Sequence, residues 1–193
     1  MKQILFIIYG FLICSVLAAC STNAKTAPNI ETIQATYGVN LDSYPHLVGA
    51  ADYVIIGEVK EELEAIQKKT SGPSSIPYSC YMVQVAENLK GQLDMSKPIQ
   101  INKHGGKRGI GNTYHLLGND LLPEVGKSYI FVLNEQEDGS LLASGTNSTI
   151  PLEDSDTAIS TRSSNAIEKS GATKEEIVAT FRNACENQIL PSD

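Results

Sequence analysis

The sequence predicts a mainly β domain in which five or six short strands close into a small barrel or sandwich, with one α-helix packed on it near the C-terminus. Three observations carry this. Residues 79–86 alternate, Tyr81, Val83 and Val85 on one face and Met82 and Gln84 on the other, the period of a half-buried strand. Residues 128–133 are apolar on both faces, with Tyr129, Phe131 and Leu133 opposing Ile130 and Val132, as in a central strand covered on both sides. Short turn-rich stretches separate the β-rich runs, and a helical period takes over only after residue 172.

Ile4 to Ala19 is an apolar run without a charged residue, short of the roughly 18–20 residues that a hydrocarbon core demands. It passes into the polar stretch Ser21 to Lys25 with no basic stop-transfer cluster, which favours a cleaved signal over a transmembrane helix. Its end, Leu17-Ala18-Ala19-Cys20, resembles the lipobox of bacterial lipoproteins. The resemblance implies cleavage before Cys20, a diacylglycerol on its sulfur, and anchorage at the bacterial cell membrane or outer membrane on the extracytoplasmic side. Two acyl chains, at about 0.8 kcal/mol per buried methylene, hold a protein on a membrane where one would not. No cofactor beyond this covalent lipid is expected.

Residues 1–19 are then the signal, residues 20–30 a polar, aperiodic tether, and residues 31–193 one domain, a length that builds one core and rarely two. Loss of residues 1–19 removes Lys2 and no acid, so the formal net charge moves from −7 to −8 over a mature chain of 174 residues. That acidity argues against a nucleic-acid partner, which needs a basic face to displace counterions, and against a polybasic contribution to membrane binding, so that the lipid is expected to do the anchoring.

Tyr44 to Ala51 can hold a short helical turn. A strand follows over Asp52 to Lys60, β-branched at Val54, Ile55 and Ile56, with Gly57 marking a bulge or bend. Lys60 to Lys69 pairs Lys60 with Glu64 and Glu64 with Lys68 at helical spacing, which blurs the end of that strand before the loop Ser71 to Ser75. After the strand at 79–86, a turn is expected over Asn88 to Gln92. Ile99 and Ile101 alternate with Gln100 and Asn102 in a third strand. Gly105, Gly106, Gly109 and Gly111 read as a loop, and Thr113 to Leu117 as a fourth strand. Pro123 to Lys127 turns into the strand at 128–133, and Asp138-Gly139 makes a tight hairpin into Leu141 to Ser144. Residues 152–171 carry no assignable pattern. Thr173 and Glu176 have the spacing of a capping box, opening a helix to about residue 189 with an apolar stripe of Ile177, Phe181, Ala184, Cys185 and Gln188 or Ile189.

With Cys14 in the signal and Cys20 lipidated, Cys80 and Cys185 remain. They either form a disulfide, which an exported compartment permits and which the chain-entropy model values at about 4–5 kcal/mol for so long a loop, or sit apart as small buried hydrophobes.

The succession Ala51-Asp52-Tyr53-Val54-Ile55-Ile56-Gly57-Glu58-Val59, then Tyr81-Met82-Val83-Gln84-Val85-Ala86-Glu87-Asn88-Leu89-Lys90-Gly91, then Val125-Gly126-Lys127-Ser128-Tyr129-Ile130-Phe131-Val132-Leu133 resembles bacterial relatives of the netrin and tissue-inhibitor-of-metalloproteinases module. Over roughly residues 48–150 the resemblance implies an OB-like barrel of five or six strands. In that inhibitor family an unblocked N-terminal cysteine reaches a protease metal. A lipidated Cys20 has no such use, so protease inhibition is not expected and no functional residue carries over.

The stretch His104 to Asn112 does not match G-x-x-x-x-G-K-[ST], and no G-x-G-x-x-G opens a helix there. Lys107 and Arg108 in a glycine loop could hold an anion or be an ordinary solvated hairpin tip. A hairpin centred near Arg108 and Gly109 would set His104 opposite Thr113 and diagonal to His115, within reach of a shared metal, although zinc wants three or four protein ligands. A G-x-S-x-G elbow is absent, and Asn147-Ser148-Thr149 is a glycosylation sequon of little meaning in a bacterial chain. The expectation is a non-enzymatic binding module on the cell envelope, with the membrane as partner through the lipid anchor, an envelope protein or a glycopolymer as possible ligand, and Tyr78, Tyr81, Lys107, Arg108 and Tyr114 as candidate ligand contacts. The alternatives are a small hydrolase or metal-dependent enzyme using His104 and His115, and a structural or immunity-like protein.

Overall fold

The structure is a computed structural model that describes residues 27–36, 38–66, 77–153, 159–161 and 171–191. The signal, the lipobox, most of the tether, the loop 71–75 and most of 152–171 lie outside these residues. Among the described residues no helix is long and apolar enough to cross a membrane.

The elements in chain order are β1 (Asn29–Ile33), α1 (Tyr44–Gly49), β2 (Tyr53–Ile66), β3 (Tyr78–Lys90), β4 (Ile99–Lys107), β5 (Thr113–Leu117), β6 (Ser128–Glu135), β7 (Leu141–Ala143), β8 (Thr149–Pro151) and α2 (Lys174–Glu186). Strands β2, β3 and β4 form an antiparallel meander, β6 pairs with β2, β7 with β6, and a parallel pairing of β7 with β4 closes the ring. The domain is thus a closed five-stranded OB-like barrel with further strands outside it and a C-terminal helix. β5 extends the sheet beyond β4, and β1 lies parallel to β5 at the outer edge.

Alternation along β2 and β6 builds two cores at once. Ile55, Val59, Tyr129, Phe131 and Leu133 point into the barrel with Tyr81, Val83, Val85 and Ile101. Val54, Ile56, Ile130 and Val132, of opposite parity, point outward beneath Leu47 and Val48 of α1 and Ile177, Val178, Phe181 and Ala184 of α2. A strand carrying both cores must be apolar at every position, as residues 129–133 are. The capping box forms as its spacing predicts: Glu176 N–H donates to Thr173 Oγ1 at 3.3 Å and Thr173 N–H to Glu176 Oε2 at 2.8 Å. The helix ends at Glu186, and Ile189 lies beyond it, its N–H donating to the Pro45 carbonyl.

Several expected boundaries move. The helical charge spacing after Lys60 does not make a helix, because β2 continues to Ile66 in a long hairpin with β3, Leu63 opposite Cys80 and Glu62 opposite Tyr81. Tertiary pairing overrides weak i,i+4 charge pairs worth a few tenths of a kcal/mol. β3 runs through Asn88 to Lys90, so the turn begins at Gly91. Gly105 and Gly106 belong to β4, with φ of 121° and 154°. A Cβ on Gly106 would meet Ser79 Oγ at 2.5 Å, and one on Gly105 the His115 carbonyl at 3.1 Å, so Gly106 lets β3 approach and Gly105 lets β5 approach rather than forming a loop. Asn29 and Ile30 open β1 and so leave the tether. The strand β8, paired with β6, has no period long enough to announce it. Cys80 is buried on β3 and Cys185 half-buried on α2, and no disulfide joins them.

Candidate functional site

The most telling side chain is Lys103, which no sequence motif singles out. On β4, Ile99, Ile101 and Lys103 share one parity, so Lys103 follows the core residue Ile101 into the end of the barrel, where it is fully buried. Its Nζ donates to Asp120 Oδ2 at 2.6 Å and to Ser148 Oγ at 2.7 Å. Burying two charges costs several kcal/mol apiece unless the remaining polar atoms are also satisfied. Here Asp120 Oδ1 accepts the Leu121 N–H at 2.9 Å, and the Asp120 carbonyl accepts the Thr161 N–H at 3.0 Å. The pair thus ties the segment 118–121 and residues 160–161 to the barrel end. Lys103 beside Ser148 has the outline of a nucleophile with its base. As the cation of the pair, however, Lys103 has no lone pair to take the serine proton, and both side chains are sealed from solvent.

Outward from this pair opens a cleft of about 590 Å³, within the range of roughly 300–1,000 Å³ usual for small-molecule sites. One wall is the end of β1 and the segment after it, with Thr32, Gln34, Asn40, Leu41 and Asp42; the other is Gly118, Asn119, Thr146 and Thr161. The second wall is cross-braced. Thr161 Oγ1 donates to the Gly118 carbonyl at 2.7 Å, and the Asn119 N–H to Thr146 Oγ1 at 3.4 Å. The first wall is clipped by Asn147, whose Nδ2 donates to the Leu41 carbonyl at 3.0 Å from a left-handed backbone with φ of 61°. That burial and bond, with Asn147 only 6% exposed, make the sequon asparagine a positioning residue. Hydroxyls and amides dominate the lining, and among the described residues Asp42 is its one ionisable side chain.

The residues expected to bind fall in different places. Tyr81 is 1% exposed inside the barrel, its hydroxyl pKa raised mainly by that burial. It is a core residue, not a ligand contact, because odd positions of β3 face inward. Tyr78 stacks on His104 with ring centroids 4.6 Å apart and planes 4° from parallel. Lys107 pairs with Tyr114 across β4 and β5, and the Arg108 N–H donates to the Thr113 carbonyl, so these side chains do share one hairpin end. Its turn lies over residues 109–112, two positions beyond the expected centre, which puts Gly106, not Asn102, opposite His115.

The two histidines are engaged by different neighbours. His104 Nδ1 is 3.1 Å from Ser144 Oγ, and burial, then the nearby Lys103 charge, pulls its pKa down to about 4. His115 Nε2 lies 2.9 Å from Glu31 Oε2, its register partner on β1, and 3.3 Å from Arg108. One nitrogen cannot donate to the carboxylate and accept from the guanidinium together. Among the described residues, no three His, Cys, Asp or Glu side chains converge on a point that could hold a metal. No protein-family model matches this chain, and no curated protein sequence matches it.

Nothing local in the sequence announces the cleft. Its threonines and asparagines are ordinary loop residues scattered from position 32 to 161. The one available signal is Lys103, a lysine on the inward parity of a strand, which demands a buried acid and so a folded segment at the barrel end.

Proposed function

We propose that the protein is a lipid-anchored, extracytoplasmic binding module of the bacterial cell envelope, without enzymatic activity, that holds a neutral polyhydroxylated ligand such as an envelope oligosaccharide in the cleft beside the barrel. One observation carries this reading: a cleft of ligand size lined by hydroxyl and amide groups on braced walls, with a single carboxylate and no activated nucleophile among the described residues. Such groups exchange hydrogen bonds with water for hydrogen bonds with sugar hydroxyls at little net cost, so they select for shape and number of hydroxyls. The acidic chain and Asp42 disfavour an anionic ligand there. The lipobox resemblance at Cys20 supports the address.

Calorimetric titration of the full chain with neutral cell-wall oligosaccharides tests the reading. Binding is expected, weakened about fivefold to tenfold by Asn119→Ala if one net hydrogen bond of roughly 1 kcal/mol is lost, and unaffected by Lys107→Ala. Loss of binding with Lys107→Ala alone would move the site to the hairpin end.

A further inference from the structure

The chain enters the domain beside the tip of the β4–β5 hairpin. Asn29, the first residue of β1, lies opposite Thr113, and its N–H donates to the Asn112 carbonyl at 2.8 Å. Cys20 is nine residues upstream, a reach of at most ~30 Å for an extended chain. Among the described residues, the hairpin tip is thus one part of the domain that lies close to where the tether enters.

The composition of that tip suits the position. Ile110 stands fully in solvent, the most exposed large hydrophobic side chain among the described residues. Gly109 and Gly111 flank it, and a Cβ on either would meet nothing within 4 Å among the described residues. Lys107 and Arg108, both exposed, adjoin it in a protein of formal net charge −7. Glu31, two positions inside the start of β1, faces His115. An exposed apolar side chain at a hairpin tip beside two cations is chemistry for the boundary of an anionic bilayer, where basic groups meet headgroups and an apolar tip enters the acyl boundary.

We propose that the β4–β5 hairpin tip is a second membrane contact, with Ile110 entering the interface and Lys107 and Arg108 meeting anionic headgroups, so that the barrel is oriented on the membrane rather than swinging on its tether. This rests on the Cys20 anchor.

The chain contains no tryptophan, so Ile110→Trp in the full-length, lipidated protein is a single reporter, with Met95→Trp as its control at the far end of β4. Both are reconstituted in vesicles of phosphatidylglycerol with brominated acyl chains. The I110W emission is expected to shift to the blue and to be quenched several-fold more than that of M95W. Charge reversal by Lys107→Glu and Arg108→Glu should reduce the quenching, since each basic residue near an anionic surface is worth about 1 kcal/mol, roughly fivefold in residence. Protein that stays with the vesicles but quenches equally at both positions overturns the hairpin contact and leaves the anchor standing. Protein that leaves the vesicles, and whose mass shows an unmodified Cys20, overturns the anchor and the contact together.

Discussion

At the scale of single residues, the buried Lys103–Asp120 pair is the sharpest commitment the chain makes. Removing one member leaves the other charged and sealed in, a loss that typically costs about 3–5 kcal/mol. Lys103→Met should therefore lower stability by that order in urea denaturation, and adding Asp120→Asn should recover part of it by removing the orphaned charge. A double variant less stable than the single one would show that the ion pair is not the interaction that matters. His104 makes a second prediction, through pH. Its folded pKa of about 4 lies below the ordinary 6.5, so the unfolded chain takes a proton that the folded chain refuses. The associated stability is complete above pH 6.5 and is lost as pH falls toward 4. His104→Phe keeps a ring against Tyr78 and should flatten the fall in Tm between pH 7 and 4.5; equal falls in both proteins would contradict this. Parity explains what was legible among residues. Tyr81 lies on the apolar face of an alternating strand and should be read as core, whereas Asp120 has no neighbour in sequence that reveals its partner seventeen residues earlier.

At the scale of elements, strands with strict alternation or continuous apolarity are legible, as is the helix whose cap is written in Thr173 and Glu176. The failures sit where long-range pairing decides. The second half of β2 is polar enough to read as a helix until β3 pairs with it, and β8 is three residues that become a strand only against β6. The docking of α1 against the C-terminal segment is equally invisible, yet it imposes a strict demand. A Cβ on Gly49 would collide with the Ile189 backbone carbonyl, while the Ile189 N–H is held by the Pro45 carbonyl at 2.9 Å. Gly49→Ala should cost about 1–3 kcal/mol, the range for overpacking, and show as a lower urea midpoint at unchanged slope. No shift in the midpoint would mean that the C-terminal segment is free to move aside.

At the scale of the whole molecule, β1 and β5 run parallel from the hairpin tip to the cleft. Asn29 and Thr113 lie at the tip end, and Thr32 and Gly118 at the cleft end. Five residues of strand rise about 16 Å, so the proposed anchor at the tip would present the cleft away from the membrane. The closed barrel leaves no barrel strand as a free edge, and the outer edge falls on the short β1 that the tether feeds. The proposed division of labour, a membrane end and a ligand end joined by two parallel strands, rests on the tertiary closure of strands far apart in sequence, which is why the barrel is legible in the sequence and the cleft is not. The most direct test is to record amide chemical shifts of the full chain during titration with a neutral cell-wall oligosaccharide. The perturbed amides should cluster at Thr32, Gln34, Asn40, Asn119, Thr146 and Thr161; perturbations confined to Tyr78, Lys107, Arg108 and Tyr114, or none at saturating ligand, would contradict the account.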